Sequence, residues 1–208
     1  MEASNVDMTG KVCLITGGNS GIGKATATGL AKLNASVVIV SRDKDKGEAT
    51  LIEMRAKSGN RNLDAMTADL SSQDSVRELA HDFTGRYKKL HVLINNAGIF
   101  LPKRVQTVDG LEATFATNHL GHFLLTNLLL DLLKASAPSR IINLSSSAAT
   151  TPTASQNWPM FSSRISWQNS WRVQGSLSTV STLGLSERAL EKTRAVLCRF
   201  SSQWAVLS

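Results

Sequence analysis

A glycine-rich run near the start of the sequence has the residue types and spacing to hold a phosphate group. Residues 16–23 read Thr-Gly-Gly-Asn-Ser-Gly-Ile-Gly, between a strand-like segment and a helical one. A dinucleotide pyrophosphate needs backbone N–H groups at the N-terminus of a helix, whose dipole favours anions. Gly17 permits the sharp turn, and Gly21 and Gly23 let the backbone approach ligand and sheet. The run therefore predicts a dinucleotide site rather than a plain glycine turn. This site also includes the residues between the glycines, Asn19, Ser20 and Ile22.

The residues at the end of the second predicted strand bear on which nucleotide binds. They read Val-Ser-Arg-Asp (40–43), and Lys44 and Lys46 follow. At this point a carboxylate binds the ribose 2′-hydroxyl of NAD, whereas a cation accommodates the 2′-phosphate of NADP. Because Ser41 stands where the carboxylate is expected and Arg42 follows it, the sequence predicts NADP, with NAD as the alternative. If no nucleotide binds, these cations form a solvated helix start.

The elements that would position these residues follow one another along residues 12–145. Short apolar runs alternate with amphipathic stretches, as in βαβ units that build a parallel sheet covered on both faces. Strands are predicted at 12–16, 36–41, 63–68, 90–95 and 140–145, and helices at 22–33, 44–57, 73–86 and from about 110 to 134. Right-handed crossovers then give an α/β fold, a Rossmann-like doubly wound parallel sheet. Its ligand sites lie at the carboxyl ends of the strands, where the glycine run, Asn95 and Ser145 all fall.

The third predicted helix carries an apolar stripe with helical spacing. Its members are Val76, Leu79, Ala80 and Phe83, and Ser72 precedes the helix as a possible N-cap. Such a stripe is typical of a face packed on the core. We therefore interpret it as core and not as part of a cofactor site.

Length and cysteine content favour one folded domain in the cytoplasm. The chain has 208 residues, of which 42% are hydrophobic and 19% charged, which suits a single core. The start lacks the basic-then-apolar order of a signal peptide, and no run of about 18 apolar residues predicts a membrane span. Cys13 and Cys198 are too few for a disulfide framework or a structural zinc site, so we expect free thiols and no metal.

The positive charge of the chain is concentrated near its end. Residues 151–208 hold six basic and two acidic side chains, which supply +4 of the net charge of +7. Nucleic-acid binding would require a basic stripe interleaved with aromatic residues on one element, and no predicted element carries one. The sequence therefore argues against a nucleic-acid partner.

The sequence changes character after about residue 150. All four tryptophans lie there, serine becomes frequent, and the alternation of strands and helices stops. We therefore predict a dinucleotide-binding Rossmann domain at 1–150 that is truncated, and an atypical Ser/Trp-rich C-terminal tail at 151–208. A break of this kind indicates a domain boundary, a disordered tail or a reading frame that is not the ancestral one. The third fits best, because the break falls inside what should be a continuing sheet.

Six segments of the sequence are specific when they are taken as a set. They are TGGNSGIG (16–23), Arg-Asp-x-x-x-Gly-Glu (42–48), Ala-Asp-Leu (68–70), NNAG (95–98), FATNHLGHFLLT (115–126) and RIINLSSS (140–147). Together they resemble the short-chain dehydrogenase/reductase family and, within it, the retinol dehydrogenase-like members. The resemblance extends from about residue 10 to about residue 150. It implies hydride exchange between a nicotinamide cofactor and a small carbonyl or alcohol substrate.

The resemblance also implies roles for single residues that line the cofactor. Asp69 would hydrogen-bond the adenine amine, and Leu70 would line the same pocket. The next group would pass beside the nicotinamide ribose and comprises Asn96, Ala97 and Gly98.

Two further residues take catalytic roles by the same resemblance. Asn118 would bend its helix and hold a water of the proton relay, and Ser146 would polarise the substrate carbonyl or hydroxyl. Taken alone, Asn118 would be an ordinary helix-surface amide and residues 145–147 a strand-end cap. Only the joint pattern gives them catalytic roles.

The proton donor that the family uses with this serine is missing from the sequence. A phenol with a pKa of about 10 is a poor base at neutral pH, so the family places a lysine four residues after its tyrosine to lower that pKa. Here the only tyrosine, Tyr87, precedes the serines, and the residue four positions after it is His91. The only lysine after Ser147 is Lys192.

Two histidines on the fourth predicted helix could be considered as replacements. His119 and His122 follow Asn118, and histidine can act as an acid or base near pH 7. A structural role is the favoured interpretation, because nothing in the sequence aims either ring at the cofactor. No third ligand lies near them, which argues against a metal site.

Three functions are compatible with the sequence. The first is an NADP-dependent short-chain dehydrogenase/reductase, an oxidoreductase impaired here by loss of the Tyr-x-x-x-Lys pair. The second is a non-catalytic NADP-binding or interaction protein, and the third is a frameshifted or truncated product. The family's usual dimer helix also carries the missing tyrosine, so a homo-oligomer is in doubt.

Overall fold

A computed structural model describes residues 6–144, which form a five-stranded parallel sheet with helices on both faces. The strands are β1 (Val12–Thr16), β2 (Ser36–Ser41), β3 (Leu63–Thr67), β4 (Val92–Asn95) and β5 (Arg140–Asn143). Their order across the sheet is β3-β2-β1-β4-β5, so the chain crosses from one side of β1 to the other between β3 and β4. This is the doubly wound parallel arrangement that the alternation predicts.

Three long helices and a broken fourth one cover the sheet. They are α1 (Gly21–Lys32), α2 (Lys44–Ser58), α3 (Gln73–Arg86), α4 (Ala113–Phe115), α5 (Gly121–Leu128) and α6 (Leu130–Ala135), with a π-helical turn (Ala116–Leu120) between α4 and α5. Buried residues of α1 and α2 share one apolar cluster with the sheet, and those of α3 and α5 share the other.

Strand β1 contributes side chains to both apolar clusters. Successive side chains of a strand point to opposite faces. Cys13 and Ile15 therefore pack with α1 and α2, whereas Leu14 packs with α3 and α5. All three side chains are fully buried, and burial raises the pKa of the Cys13 thiol to about 12. The central strand thus holds the two layers together beneath the glycine run.

Side-chain caps fix the starts of α2 and α3. The Asp43 carboxylate accepts the backbone N–H of Lys46 at 3.1 Å, and the Ser72 hydroxyl accepts that of Ser75 at 3.4 Å. The cap predicted at Ser72 is confirmed, as is the core stripe of α3, whose four members are at most 5% exposed. Because the strands are parallel, the loops after β2 and β3 lie at the carboxyl edge of the sheet, and the caps fix how these loops enter the two helices.

The helical segment predicted from about 110 to 134 is present, but it is not the single helix that the sequence predicts. Gly110 adopts a left-handed φ of 73°, and the Glu112 carboxylate caps a helix that begins only at Ala113. The helix then passes through the π-helical turn and is interrupted again at Leu129. Apolar periodicity continues across these breaks, which explains why the sequence pattern does not reveal them.

The other boundaries lie close to the predicted ones. Strands β1 and β2 and helix α3 have the predicted limits, while β3 ends at Thr67 and β4 begins at Val92. The predicted domain limit at residue 150, the tail and Cys198 all lie outside the described residues. Within residues 6–144, no helix combines the length and apolarity needed to cross a bilayer.

Candidate active site

The glycine run forms a tight turn between β1 and α1 at the carboxyl edge. Gly17 has a φ of 65°, and its N–H and that of Gly18 both donate to the Val40 carbonyl oxygen, at 2.9 and 3.3 Å. A Cβ on Gly18 would overlap the Ile39 side chain. The turn is therefore bonded to β2 and packed so closely on it that no side chain fits.

Gly23 is the second point of close approach. A Cβ on this residue would overlap both the Gly17 carbonyl oxygen and the Asn96 side-chain amide. A Cβ on Gly17 would lie 2.9 Å from the Ala97 Cα. Three segments meet at this point: the turn, the first turn of α1 and the loop after β4. Glycine is required where these backbones converge.

The N-terminus of α1 differs from those of α2 and α3. Ser20 precedes α1 in an extended conformation, but its side chain makes no cap bond, and no acidic residue occupies the first helical turn. By contrast, α2 and α3 each have both a side-chain cap and an acidic residue there. Among the described residues, no carboxylate or hydroxyl caps the leading N–H groups of α1, an arrangement that fits an anionic group such as a pyrophosphate.

The positions of the other predicted pyrophosphate residues are consistent with this cradle. The Thr50 hydroxyl of α2 lies 3.2 Å from the Asn19 carbonyl oxygen and 2.8 Å from that of Lys46, so the turn is in contact with α2. Gly21 has a φ of 51° and is exposed, and Ile22 is half-buried beside it. The structure therefore brings Asn19, Ser20, Gly21 and Ile22 to one short arc around the start of α1.

The cations after β2 are not equivalent. The Lys46 ammonium lies 3.3 Å from an Asp43 carboxylate oxygen, and Lys44 is 3.9 Å from Glu48. Arg42 is exposed and has no ion pair with any of residues 6–144. Ser41 is buried, and its hydroxyl donates to the Asp43 carbonyl oxygen at 2.9 Å. Of these three cations, Arg42 is thus the one without a carboxylate partner among the described residues.

Asp69 and Leu70 follow β3 at the same edge. One Asp69 carboxylate oxygen accepts the Ser71 backbone N–H at 2.9 Å, and the Asp69 N–H donates to the Ser75 hydroxyl at 3.0 Å. Leu70 is 5% exposed and belongs to the core, where its carbonyl leaves no room for a Cβ on Gly121. The structure therefore fixes the Asp69 carboxylate in place and puts the Leu70 side chain in the core.

The loop after β4 is held by Thr16, the last residue of β1. The Thr16 hydroxyl oxygen accepts the backbone N–H groups of Asn96 and Ala97, at 2.9 and 3.0 Å. In return, the Asn96 side-chain amide donates to the carbonyl oxygens of Thr16 and Gly17, at 2.8 and 3.2 Å. The loop and the glycine turn therefore form one bonded unit.

Asn118 lies in the π-helical turn and bonds to the end of the same loop. Its side-chain oxygen accepts the Ile99 N–H and its side-chain nitrogen donates to the Ile99 carbonyl oxygen, both at 2.8 Å. Gly98 directly precedes Ile99, and a Cβ on Gly98 would lie 3.6 Å from the Asn118 side-chain oxygen. The predicted helix distortion at Asn118 is present, and a π-helical turn is a common feature of functional sites.

Polar side chains bond the end of β5 to β4, a few residues before the predicted Ser146 in the sequence. Asn95 of β4 donates from its side chain to the Asn143 side-chain oxygen at 2.7 Å and to the Thr126 hydroxyl at 3.1 Å. The Leu144 N–H then donates to the Asn95 carbonyl oxygen at 2.9 Å. Ser146, the predicted polarising residue, lies outside the described residues, but the chain leaves the described part at the same edge.

Tyr87 lies at the opposite end of the sheet from this site. Its hydroxyl donates to the Asp64 carboxylate at 2.9 Å, and its ring stacks on Phe83. Burial and the Asp64 carboxylate raise the pKa of Tyr87, which makes it a weaker acid than a free phenol. Asp64 is the second residue of β3, near the amino end of the strand. Tyr87 is therefore not placed to replace the missing tyrosine.

The two histidines of the fourth helical segment have different surroundings. His119 stacks on the exposed ring of Phe115. His122 is buried and lies between the Thr16 hydroxyl, 3.0 Å from its Nε2, and the Asn118 carbonyl oxygen, 3.2 Å from its Nδ1. Within the described residues, no group of three potential metal ligands includes either ring.

Sequence reasoning missed three residues that this site requires. It left Thr16 and Gly18 without a role, although both belong to the glycine run, and it gave His122 only an unspecified structural role. A threonine that directly precedes the first glycine is a signal that could have marked Thr16. The contact between Thr16 and His122 joins residues 106 positions apart, and no local pattern reports it.

Comparisons with known proteins agree with the geometry. A family profile described as short chain dehydrogenase matches residues 11–163, and so runs past residue 150, where the resemblance seen in the sequence stops. Retinol dehydrogenase 11 of Mus musculus is 51% identical over 143 residues, which are 69% of this chain and 45% of that protein. The chain thus spans about half the length of the curated relatives that it matches.

Solved structures give the same result. The Pseudomonas aeruginosa RhlG/NADP active-site complex matches with a TM-score of 0.59 and 34% identity, over 70% of this chain and 58% of that one. A metagenomic short-chain oxidoreductase in complex with NADP matches with a TM-score of 0.61 and 30% identity, over 70% of this chain and 66% of that one.

Proposed function

The chain belongs to the short-chain dehydrogenase family, and on that premise we propose that the carboxyl edge of its sheet binds NADP(H). The observation that carries the proposal is the convergence of Gly17, Gly23 and Asn96. A Cβ on Gly23 would overlap the Gly17 carbonyl oxygen and the Asn96 amide, and one on Gly17 would lie 2.9 Å from the Ala97 Cα, so the turn, α1 and the loop after β4 pack directly on one another. Such a cradle lets backbone N–H groups approach a pyrophosphate closely.

The preference for NADP over NAD rests on Arg42. This guanidinium is exposed beside the end of β2 and free of carboxylate partners within residues 6–144, whereas Lys44 and Lys46 have carboxylates nearby. A guanidinium binds a phosphate through paired, charge-assisted hydrogen bonds. We therefore propose that Arg42 binds the 2′-phosphate and that Asp69 bonds the adenine amine. The presence of NADP in two similar structures supports this preference.

We further propose that the reaction belonging to this fold is reduction or oxidation at a carbonyl or alcohol carbon. When it is bound, NADPH would supply the hydride. The chain's own residues would orient the reactants: Asn118 through the loop that it fixes at Ile99, and Ser146 by polarising the substrate oxygen. The name of the relative retinol dehydrogenase 11 supports a lipophilic, retinoid-like substrate class.

In this chain we propose that turnover is impaired. Tyr87 is the only tyrosine of the sequence, and its hydroxyl bonds to Asp64 near the amino end of β3. No other phenol can deliver the proton to the substrate oxygen. Binding of NADP without efficient hydride transfer is therefore the function that the geometry supports best.

Calorimetric titration of the 208-residue chain tests the binding proposal. We expect saturable binding of NADPH with one site per chain and weaker binding of NADH. A flat NADPH titration of the folded protein would remove the proposal. Folding is checked by a cooperative thermal transition in the same buffer.

A reductase assay tests the proposal of impaired turnover. We expect no oxidation of NADPH above background with retinal or a generic aldehyde as substrate. Turnover at the rate of an ordinary enzyme, on the order of 10 per second, would show that another group delivers the proton.

A further inference from the structure

His122 connects two parts of the site that are distant in sequence. It is 7% exposed and lies in the first turn of α5, directly after the π-helical turn. One ring nitrogen faces the Thr16 hydroxyl at the end of β1, and the other faces the Asn118 carbonyl oxygen. Thr16 in turn bonds the loop after β4, and the side chain of Asn118 bonds Ile99 at the end of that loop.

The hydrogen bonds of Thr16 determine what it can offer to the ring. A hydroxyl has one proton and two acceptor lone pairs. Both lone pairs are used by the backbone N–H groups of Asn96 and Ala97. The remaining proton can go to His122 Nε2 at 3.0 Å or to the Ile94 carbonyl oxygen at 3.4 Å. The shorter distance favours donation to the histidine.

The other contact of the ring fixes its tautomer. A backbone carbonyl oxygen only accepts, so the Nδ1 that lies 3.2 Å from the Asn118 oxygen must carry the proton. In a neutral imidazole, Nε2 is then the acceptor. This tautomer satisfies the Thr16 hydroxyl and the Asn118 carbonyl together. A second ring proton would face the Thr16 oxygen, whose lone pairs are already used.

A second buried histidine provides a contrast within the same molecule. His91 is 6% exposed, and its Nδ1 accepts the Val12 backbone N–H at 2.9 Å. That bond joins the beginning of β1 to the residue before β4, at the amino end of the sheet. Burial and a single backbone bond therefore do not by themselves place a histidine in the site. His122 differs because its two bonds join two segments that carry predicted site residues.

We propose that His122 is a positioning residue that holds the loop of residues 96–99 in place from both ends. At one end it orients the Thr16 hydroxyl that receives the Asn96 and Ala97 N–H groups. At the other end it bonds the backbone of Asn118, whose side chain holds Ile99. The effect on cofactor binding rests on the proposed function, whereas the effect on the loop does not.

The tautomer can be tested on the wild-type protein by long-range nitrogen–proton NMR of the histidine rings at pH 7. His122 is expected to be neutral with its proton on Nδ1. A ring with its proton on Nε2, or a ring with both nitrogens protonated, would overturn the proposal. This measurement needs neither a variant nor a cofactor.

Amide hydrogen exchange in variants tests the positioning. In H122F, which keeps ring volume but removes both bonds, exchange at Ala97 and Ile99 should accelerate about tenfold, while amides of β2 keep their rates. H122Q can keep an acceptor near Thr16 and should restore most of the protection at Ala97. The matched control H91F should accelerate exchange at Val12 and leave Ala97 and Ile99 unchanged. Unchanged exchange at Ala97 and Ile99 in folded H122F would overturn the proposal.

The cofactor readout separates this proposal from the proposed function. If wild-type protein binds NADPH, H122F should bind it about tenfold more weakly and H122Q should recover most of the loss. An unchanged affinity in H122F would overturn the role in cofactor binding. Failure of the wild-type protein to bind NADPH would overturn the proposed function, and the tautomer and exchange results would still decide the role of His122. The tautomer decides it alone if H122F does not fold.

Discussion

The two ends of the parallel sheet use similar residue types in different ways. At the amino end, Tyr87 and Arg86 both contact the Asp64 carboxylate, and His91 accepts a backbone N–H. These side chains bond to each other and to the backbone of the strands. At the carboxyl end, by contrast, glycines let backbone segments pack closely, and the side chains of Thr16, Asn96 and Asn118 hold loops. A buried histidine therefore joins strand backbone at the amino end, as His91 does, and holds predicted site segments at the carboxyl end, as His122 does.

The direction of the strands explains this difference. The loops at the amino end of a doubly wound sheet receive chains that return from helices, whereas those at the carboxyl end lead into helix N-termini. The uncapped start of α1 lies at the carboxyl end, as do Arg42 and Asp69. Substitutions at the two ends should therefore separate ligand binding from stability.

The largest expected effect is that of Gly23→Ala at the carboxyl end. The new Cβ overlaps the Gly17 carbonyl oxygen and the Asn96 amide, so the cradle must open. An overlap of this kind costs about 1–3 kcal/mol, and we expect about 100-fold weaker NADPH binding by calorimetry. In the control Gly85→Ala, the Cβ meets no atom within 4 Å inside α3. This control should keep the wild-type affinity and gain about 0.5–1 kcal/mol of stability.

Acid pH should weaken the fold through the buried histidine of the carboxyl end. Burial lowers the pKa of His122 from 6.5 to about 4, and the nearby His119 adds to this shift. The unfolded chain takes up the proton first, so the contribution is complete above pH 6.5 and is lost as the pH falls toward 4. It amounts to up to about 3 kcal/mol of unfolding free energy. The free energy of unfolding in urea, measured for the wild type and H122Q between pH 7 and 4, tests this expectation. It should fall more steeply with decreasing pH in the wild type, and an equal dependence on pH in the two proteins would contradict the expectation.

Which parts of this picture could be predicted depends on whether the signal is local. The limits of β1 and the glycine run follow from short apolar and glycine patterns. The cap at Ser72 also follows from neighbours in sequence. The π-helical turn does not follow from neighbours in sequence, because it is coupled to the bonds between Asn118 and Ile99, which lie 19 residues apart; only the family resemblance indicates a bend at Asn118. The link from Thr16 to His122 is more distant still, and only the folded sheet brings the two together.

Some predictions stay untested because they concern other parts of the chain. The division at residue 150, the role of Ser146 and the origin of the tail fall on residues 145–208, outside the described part. The cytoplasmic location also stays a prediction. The family assignment does not depend on them, since the described residues carry five of the six segments of the predicted set, and part of the sixth.

A smaller effect is expected for Arg42→Ala. Loss of the guanidinium should weaken NADPH binding about tenfold, the effect of one exposed charge-assisted contact, and leave NADH binding unchanged. Calorimetry with both nucleotides measures the ratio. Lys46→Ala is the matched control, because that ammonium lies 3.3 Å from Asp43, and it should change the ratio less than about threefold. Equal losses for NADPH and NADH in Arg42→Ala would contradict a 2′-phosphate contact.

The smallest effect on the site is expected for Tyr87→Phe at the amino end. The substitution removes the hydrogen bond to Asp64 but keeps the ring stacked on Phe83. We expect a loss of about 1 kcal/mol of unfolding free energy in urea and no change in NADPH affinity. A loss of affinity without a loss of stability would place Tyr87 in the site and remove the contrast between the two ends.

Hydrogen–deuterium exchange of the wild-type chain, with and without saturating NADPH, tests most directly that the carboxyl end holds the cofactor. Peptides covering residues 16–23 and 95–99 should become protected, while peptides covering 60–66 and 86–91 keep their rates. Protection confined to the amino-end peptides, or no protection at residues 16–23 under saturation, would contradict the assignment of the site to the carboxyl end.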